Sequence, residues 1–537
     1  MSKEISDFDS LLSKLNDFGK YQKLNLCLMC LTALLTGMAS LSFVFVAGIP
    51  EYRCRIPLCD NEIVTEYIPE WLENVAPFKN GFPKYCSRYE LKNETFIDNY
   101  LNVSCPVDNF SKDKIIECDV DDLVFPDRHT TIANDLQILC ENNQWKLSLV
   151  GTFSSLGIIL GGPICGYISD RYGRKKVLVI TGVLTSVFGI LKSFSTVLEE
   201  YIILDLLETI AGFTLYSTAF IIGLELVGPS YRLLAATTNN VCLSVGRILL
   251  GVAAWYFNSW RTFLKVLYLP GLLIVFYWFL IPESIKWLIS KKKYDEIRTT
   301  LSKISKINKR PLPENYEIFL KSEENSKSTE EANFSKLLRN RTLCLRFINC
   351  CILFLGNNII FFGLSLNSVT LTGHKYINFI IISMVEIPGN ILCAISLNRF
   401  SRRLTLGVSY LVTGICCILL YFISEGDYVK VIIYTIGKLM ATIASNTMFI
   451  FITEVFPTSV RHSTLNICYA FGGIGSMLAP QTPLLAFIWD PLPVFTFGFF
   501  AILVSFLTIF FPETYNRELP DTIEESANIS KTTVTKL

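Results

Sequence analysis

About twelve stretches of roughly 20 mostly apolar residues recur along the chain, and they restrict its fold more than any other feature. A helix rises about 1.5 Å per residue, so about 20 apolar residues are needed to cross a hydrocarbon core of about 30 Å. The mean hydropathy of +0.42 is too high for a chain of soluble domains. We therefore predict an all-α membrane protein with twelve transmembrane helices. They are expected at residues 24–46, 146–168, 177–197, 201–222, 234–256, 262–281, 344–366, 376–397, 404–424, 429–451, 464–487 and 493–511.

The charge balance and the absence of certain motifs exclude several classes of function. With 48 basic and 47 acidic residues, the chain has no excess of positive charge for binding nucleic acid. It lacks the GxxxxGKS/T loop that holds nucleotide phosphates, which argues against ATP-driven transport. Its three histidines, His129, His374 and His462, fall in separate predicted loops, so no metal site and no cofactor are expected. We expect a protein that is not an enzyme and whose partners are the lipid bilayer and a small solute.

Basic residues concentrate in every second loop between the predicted spans. Short loops rich in Lys and Arg face the cytoplasm in most membrane proteins. We therefore expect a multi-pass protein of the plasma membrane with both termini in the cytoplasm. The basic residues of these loops are Arg171, Arg174, Lys175, Lys176, Arg232, Lys291, Lys292, Lys293, Arg399, Arg402, Arg403 and Arg461.

A long polar segment, residues 47–144, follows the first predicted span. It contains six of the 17 cysteines and three Asn-x-Ser/Thr sequons. Cysteines among glycosylation acceptors are typical of an oxidised, exported subdomain, so we predict three disulfides whose pairing stays open. The cysteines are Cys54, Cys59, Cys86, Cys105, Cys118 and Cys140, and the predicted glycosylation sites are Asn93, Asn102 and Asn109.

Three signatures occur twice, about 230 residues apart, which indicates an internal duplication. Asp170–Lys175 (DRYGRK) is repeated by Asn398–Arg403 (NRFSRR). Glu225 and Arg232, seven residues apart, are repeated by Glu454 and Arg461 at the same spacing. Pro282-Glu283 is repeated by Pro512-Glu513. Because six spans are an even number, the two copies enter the bilayer in the same orientation.

The duplication predicts two parallel six-helix halves around a central site, the arrangement of an alternating-access carrier. We assign residues 1–281 and 343–513 to the halves, 282–342 to a cytoplasmic linker and 514–537 to a cytoplasmic tail. Paired acidic and basic residues at equivalent loops suit a gate that closes by ion pairing, although they could instead only anchor the topology. The predicted gating residues are Asp170, Arg171, Arg174, Glu225, Arg232, Arg402, Glu454 and Arg461.

Of the charged residues in the predicted spans, four lie near the bilayer midplane or somewhat outside it when depth is counted from the basic end of each helix: Glu208, Arg247, Glu386 and Lys438. Each costs about 2.5 to 3.5 kcal/mol at the centre of a helix unless it is paired or hydrated. We hypothesise that Glu386 binds the cationic end of a substrate and that Arg247 or Lys438 binds an anionic end. The alternative is that Glu208 with Arg247, which lie at similar depths, and Glu386 with Lys438 merely neutralise each other.

Several motifs resemble those of a known family. Gly166–Lys175 (GYISDRYGRK) is similar to the loop signature of the major facilitator superfamily. Pro282–Leu288 (PESIKWL), Glu454–Arg461 (EVFPTSVR), Leu519–Glu525 (LPDTIEE) and the cysteine-rich loop resemble the organic cation, organic anion and carnitine transporters of solute carrier family 22. The resemblance covers nearly the whole chain and implies carriage of small organic ions across the plasma membrane.

The resemblance also implies a set of substrate-binding positions. The family sorts substrates through a charged residue in the eleventh span, where this chain has Gly473. In the eighth span Glu386 matches the cation and carnitine carriers, and Asn390 stands where anion carriers have Lys. Phe220, Phe354 and Phe361 fall where the family places cavity aromatics. The polar residues Asn357, Asn358, Asn446 and Gln481 are expected either to orient the substrate or to join helices by hydrogen bonds.

Together these features predict a secondary transporter of small organic cations or zwitterions. The first alternative is an organic-anion carrier or exchanger that uses Arg247 and Lys438. The second is a substrate sensor on the same scaffold, suggested by Asn398 and Ser401 in the altered second loop signature.

Overall fold

The computed structural model describes most of the chain between residues 14 and 528. Within these limits it leaves out residues 57–58, 61–66, 80–81, 85, 93–104, 106–109, 120–121, 127–128, 141–142, 313–315, 317–333, 372, 424–427, 458–459, 516–519 and 521–522.

The described residues form a predominantly helical protein. The helices of the first half and its loop are α1 (Lys20–Ala39), α2 (Phe43–Val46), α3 (Leu72–Val75), α4 (Ile132–Asp135), α5 (Gln144–Tyr172), α6 (Arg174–Leu191), α7 (Leu198–Leu226), α8 (Arg232–Tyr256), α9 (Trp260–Tyr268) and α10 (Tyr277–Leu280). Those that follow are α11 (Ile285–Ser290), α12 (Tyr294–Asn308), α13 (Phe334–Arg339), α14 (Arg341–Leu366), α15 (Lys375–Arg399), α16 (Arg402–Leu419), α17 (Tyr428–Val455), α18 (Arg461–Leu478), α19 (Leu492–Leu507) and α20 (Ile523–Ala527).

Among the described residues, eleven helical segments are long and apolar enough to cross a membrane. They correspond to eleven of the twelve predicted spans. At the remaining one, predicted at 464–487, the structure has α18 followed by a 3-10 helix, Ala479–Phe487, that contains Pro480 and Pro483. Proline removes a backbone donor, so the regular α-helix ends there.

The two halves repeat the same helix packing. In the first half α1 packs on α8, and α6 packs on α7. The equivalent helices of the second half pair in the same way, α14 with α18 and α16 with α17. The predicted duplication is therefore present in the fold.

Close helix contact depends on small residues where two helices cross. A Cβ atom added to Gly37 of α1 would lie 3.1 Å from the Cα of Gly246 in α8. Glycine at both positions lets the two backbones approach, as is common in membrane helix pairs.

The segment between α1 and α5 forms a disulfide-bonded loop on one face of the membrane protein. Its strands are β1 (Arg53–Cys54), β2 (Phe78–Lys79), β3 (Phe82–Pro83), β4 (Ser87–Leu91), β5 (Phe110–Glu117) and β6 (Leu123–Val124), paired antiparallel as β1 with β6, β2 with β3, and β4 with β5.

Three disulfides join the six loop cysteines, Cys54–Cys118, Cys59–Cys105 and Cys86–Cys140. The structure thus supplies the pairing that the sequence left open. The predicted glycosylation sites, Asn93, Asn102 and Asn109, lie outside the described residues. We call the membrane face that carries this loop the loop side, and the opposite face, which carries α11 and α12, the linker side.

The two halves meet along two helix pairs, α5 with α18 and α8 with α15. On the loop side, the hydroxyl of Ser155 donates a hydrogen bond of 2.9 Å to the carbonyl of Ser476. A Cβ added to Gly251 would lie 3.1 Å from the ring of Phe379. These contacts close the loop side of the seam between the halves.

Candidate functional site

Three of the four charged residues predicted near the midplane meet at the seam between the halves. Arg247 lies on α8, Glu386 on α15 and Lys438 on α17. Nη1 of Arg247 lies 2.5 Å from Oε2 of Glu386, and Nζ of Lys438 lies 3.1 Å from Oε1. The three residues are buried, with exposures of 7%, 3% and 0%. We call them the central triad.

The two cations of the central triad are satisfied to different degrees. Nζ of Lys438 also donates to the carbonyl of Phe361 at 3.1 Å and to the hydroxyl of Ser365 at 2.7 Å, which uses all three of its protons. Nε of Arg247 is buried, and no described group accepts a hydrogen bond from it. With two cations and one carboxylate the triad carries one surplus positive charge, and Arg247 keeps donors for another partner.

Phe361 places its ring beside both cations. The ring centroid lies 3.4 Å from Nζ of Lys438 and 5.7 Å from Cζ of Arg247. Such contacts stabilise a desolvated cation over a ring face by about 0.5 to 2 kcal/mol.

Replacing Phe361 by Leu should lower the free energy of unfolding by about 1 kcal/mol, because the ring contact with both cations is lost while the backbone carbonyl stays. Thermal unfolding of the purified protein in detergent measures this. The matched control is Phe499→Leu. This residue is 63% exposed, and no charged residue lies between Asp490 and Glu513 in the sequence around it. An equal shift in both variants would contradict a role for the ring in holding the cations.

A chain of hydrogen bonds extends the central triad along the seam. The hydroxyl of Ser244 donates to Oε2 of Glu386 at 3.2 Å and accepts from Asn390 at 3.4 Å. Asn446 donates to Asn390 at 2.6 Å and accepts from Asn240 of the first half at 3.4 Å. Of these residues, the sequence singled out Asn446 and Asn390 but missed Ser244 and Asn240. Ser244 lies three residues before Arg247 and therefore on the same helix face. This spacing could have identified Ser244 from the sequence.

Among the described contacts, none joins the other aromatic and polar candidates directly to the central triad. Phe220 stacks on Tyr216 with centroids 6.2 Å apart, and Phe354 is fully buried against Phe449. The remaining three join helices by hydrogen bonds, as the alternative reading expected: Asn357 with Tyr410 and Ser445, Asn358 with Ser476, and Gln481 with Thr152.

Gly473 lies on the seam, where α18 faces α5. A Cβ added to Gly473 would lie 3.5 Å from the Cβ of Ile159. On the linker side of this contact a cavity of about 390 Å³ lies between α5 and α18. It is lined by Asn466 and by apolar side chains that include Pro163 and Phe471. In this conformation the eleventh-span position is therefore covered by Ile159.

Four of the eight predicted gating residues form equivalent ion pairs on the linker side, one pair in each half. Arg174 pairs with Glu225, and Nε of Arg402 lies 3.4 Å from Oε2 of Glu454. Glu283 accepts from the backbone amide of Arg174 at 2.8 Å, and Glu513 accepts from that of Arg402 at 3.0 Å. Carboxylates at these positions stabilise the N-termini of α6 and α16.

These ion pairs join helices within one half rather than the two halves. Asp170 and Arg171 belong to the same region, where the carbonyl of Asp170 accepts from Trp287 at 3.0 Å and Arg171 donates to Tyr167 at 2.7 Å. Arg232 begins α8, and the side chain of Arg461 lies outside the described part of the chain.

The alternative prediction that Glu208 pairs with Arg247, based on their similar depths in the bilayer, is wrong. Glu208 binds Lys192 at the loop-side end of the first half, with Nζ 3.2 Å from Oε2. Depth along a helix fixes a residue's height but not the direction in which it points. The sequence missed Lys192 because it lies near the end of its apolar span.

Comparisons with known proteins agree with this architecture. A family model described as "Sugar (and other) transporter" matches residues 117–525. The chain is 32% identical to "Organic cation transporter protein" of Drosophila melanogaster, over 98% of this chain and 95% of that protein. It is 29% identical to "Organic cation/carnitine transporter 2" of Homo sapiens, with the same coverage of 98% and 95%.

Solved structures show the same fold. The inward-open xylose transporter XylE from E. coli aligns with a TM-score of 0.58 and 18% identity, covering 74% of this chain and 93% of that one. The family model and the full-length relatives together show the family. The chain belongs to the sugar (and other) transporter family of the major facilitator superfamily, and within it to the organic cation and carnitine transporters of solute carrier family 22.

Proposed function

We propose that this secondary transporter carries small zwitterions and organic cations across the plasma membrane by alternating access. The observation that carries the proposal is the bond of 2.5 Å between Arg247 of the first half and Glu386 of the second. Because this bond joins the halves at the buried seam, movement of one half against the other strains or breaks it. A substrate that replaces the bond removes that cost.

A zwitterion is the substrate that replaces this bond most completely. Its ammonium group substitutes for Arg247 at Glu386, and its carboxylate substitutes for Glu386 at Arg247. A simple cation bound to Glu386 would leave Arg247 buried without a counter-ion, which is strongly unfavourable. The surplus positive charge of the triad likewise favours a substrate that brings a carboxylate.

The second candidate is an organic-anion carrier, and the same surplus charge favours it. A carboxylate bound at Arg247 neutralises the triad without displacing Glu386. The two candidates differ in whether a substrate ammonium group is required.

The orientation follows from the chemistry of the loop. Disulfides persist in oxidising compartments, so the loop side faces the outside of the cell. The segments before α1 and after α19 lie on the opposite side and therefore face the cytoplasm. The basic linker-side signatures, which include Arg171 and Arg399, support the same orientation.

Uptake by full-length protein in lipid vesicles tests the proposal. We expect saturable uptake of radiolabelled L-carnitine, which carries a quaternary ammonium and a carboxylate, and weaker uptake of tetraethylammonium, which lacks the carboxylate. An aryl carboxylate such as p-aminohippurate should compete poorly. Uptake of p-aminohippurate without uptake of L-carnitine would favour the anion carrier, and uptake of none of the three would count against both.

A further inference from the structure

A second cluster of charged residues lies in the first half, apart from the central triad. Nζ of Lys192 lies 2.7 Å from Oδ1 of Asp205 and 3.2 Å from Oε2 of Glu208. It also donates to the hydroxyl of Tyr268 at 3.0 Å. Lys192 is fully buried, and the two acids are 2% and 5% exposed. We call Lys192, Asp205, Glu208 and Tyr268 the lysine cluster.

The lysine cluster has one carboxylate too many. Its two acids face a single ammonium group, and the three protons of that group are already donated to Asp205, Glu208 and Tyr268. Oδ2 of Asp205 and the hydroxyl of Tyr201, one turn earlier on α7, are both buried, and no described group forms a hydrogen bond with either. A net negative charge buried in a membrane protein is unfavourable, so binding of one more positive charge would stabilise the site.

The groups around the cluster do not supply that charge. The ring of Tyr201 lies 5.8 Å from Nζ of Lys192 and adds a neutral hydroxyl. Helix α9 carries two cations. Arg261 donates to the carbonyl of Ser193 at 3.1 Å, and its charge is matched by Asp135 of the loop, 2.9 Å away. Lys265 places its Nζ 4.3 Å from the ring centroid of Phe194.

We propose that the lysine cluster is a proton-binding site, in which Asp205 and Glu208 share one exchangeable proton. The proton forms an O–H bond on one of the two carboxylates and makes the cluster neutral, with one ammonium and one carboxylate. A proton fits better than a metal cation, because the ammonium group already occupies the space between the acids. On release the proton passes to water.

The position of the cluster connects it to the loop-side seam. Tyr268 lies on α9 together with Phe263, whose ring is 6.5 Å from that of Phe45. Phe45 in turn lies 4.9 Å from Phe379 and 5.5 Å from Tyr376, both on α15 of the second half. We expect opening of the loop side to separate Phe45 from α15, to loosen its packing on α9 and so to give water a route by which the proton leaves the cluster. This step rests on the alternating-access function proposed above, and it makes transport depend on pH.

Infrared spectroscopy of the full-length protein in lipid vesicles tests the proton directly. We expect the C=O band of a protonated carboxyl group at neutral pH, shifted in D₂O and lost on alkaline titration. Glu208→Gln and Asp205→Asn should each abolish the band, because either change leaves one acid for one ammonium group. Glu296→Gln, the same change at an ion pair whose side chains are about half exposed, is the matched control and should keep it.

The outcomes separate this proposal from the proposed function. Absence of the band in the unmodified protein overturns the proton site, as does a band that survives in either of the two cluster variants. The transport consequence is measured as L-carnitine uptake against pH, which should be steep in the unmodified protein and flat in Glu208→Gln. A protein that shows the infrared band but transports no L-carnitine would retain the proton site and contradict the proposed substrate.

Discussion

Replacing Glu386 by Gln should abolish uptake of L-carnitine and lower the free energy of unfolding by about 3 to 5 kcal/mol. Glu386 is the single carboxylate of the central triad and contacts Arg247 at 2.5 Å and Lys438 at 3.1 Å. Removing one member of a buried ionic group costs this much because the remaining charges stay buried without a counter-ion. The variant would also lack the group that receives the substrate ammonium.

Thermal unfolding and vesicle uptake measure the two effects separately. The matched control is Glu296→Gln, which breaks an ion pair with Lys293 whose side chains are 54% and 46% exposed. Its effect should stay within about 0.5 kcal/mol, since solvent screens such pairs. If Glu386→Gln shifted unfolding no more than this control, the central triad would not be the buried ionic group described above.

A charge swap separates substrate contact from mutual neutralisation. Arg247→Glu combined with Glu386→Arg keeps an ion pair across the seam and should recover part of the stability lost in Glu386→Gln. Recovery should be incomplete, because the new arginine lies beside Lys438, which is 3.1 Å from Glu386 in the unmodified protein. The double variant should not recover uptake, because the substrate's two charges would then face like charges. Recovery of uptake with unchanged selectivity would show that the pair serves structure alone.

Sequence reasoning found the members of the central triad but not its geometry. A charge inside an apolar span is visible in the sequence, so Arg247, Glu386 and Lys438 were identifiable. Their partners were not, because pairing depends on how each helix is rotated about its axis. That rotation is set by helix packing, for example by the crossing of α1 and α8 at Gly37 and Gly246.

The duplication was more predictable than the conformation. Repeated signatures fix equivalent positions, and Arg174 with Glu225 and Arg402 with Glu454 accordingly form equivalent pairs. Which side of the carrier is closed depends on a small free-energy difference between two states that share every residue. The sequence therefore predicts two states, and the structure shows the one in which the loop side of the seam is closed.

Joining α5 to α18 by a disulfide should stop transport reversibly by holding the loop side closed. The Cβ of Ile159 and a Cβ added to Gly473 would lie 3.5 Å apart, within the range of about 3.5 to 4.5 Å that a disulfide requires. We expect the double variant Ile159→Cys with Gly473→Cys to lose nearly all L-carnitine uptake after oxidation. Uptake should return on reduction, because alternating access needs these helices to separate.

The single variants Ile159→Cys and Gly473→Cys are the matched controls, because each adds one thiol to the eleven free cysteines of the described chain. Neither should respond to oxidant as the double variant does. The unmodified protein must receive the same reductant, since its loop contains three disulfides of its own. Full uptake by an oxidised protein whose cross-link is verified by mass spectrometry would mean that the seam at Gly473 does not open during transport. Alternating access would then have to proceed around a fixed α5–α18 contact, contrary to the mechanism proposed above.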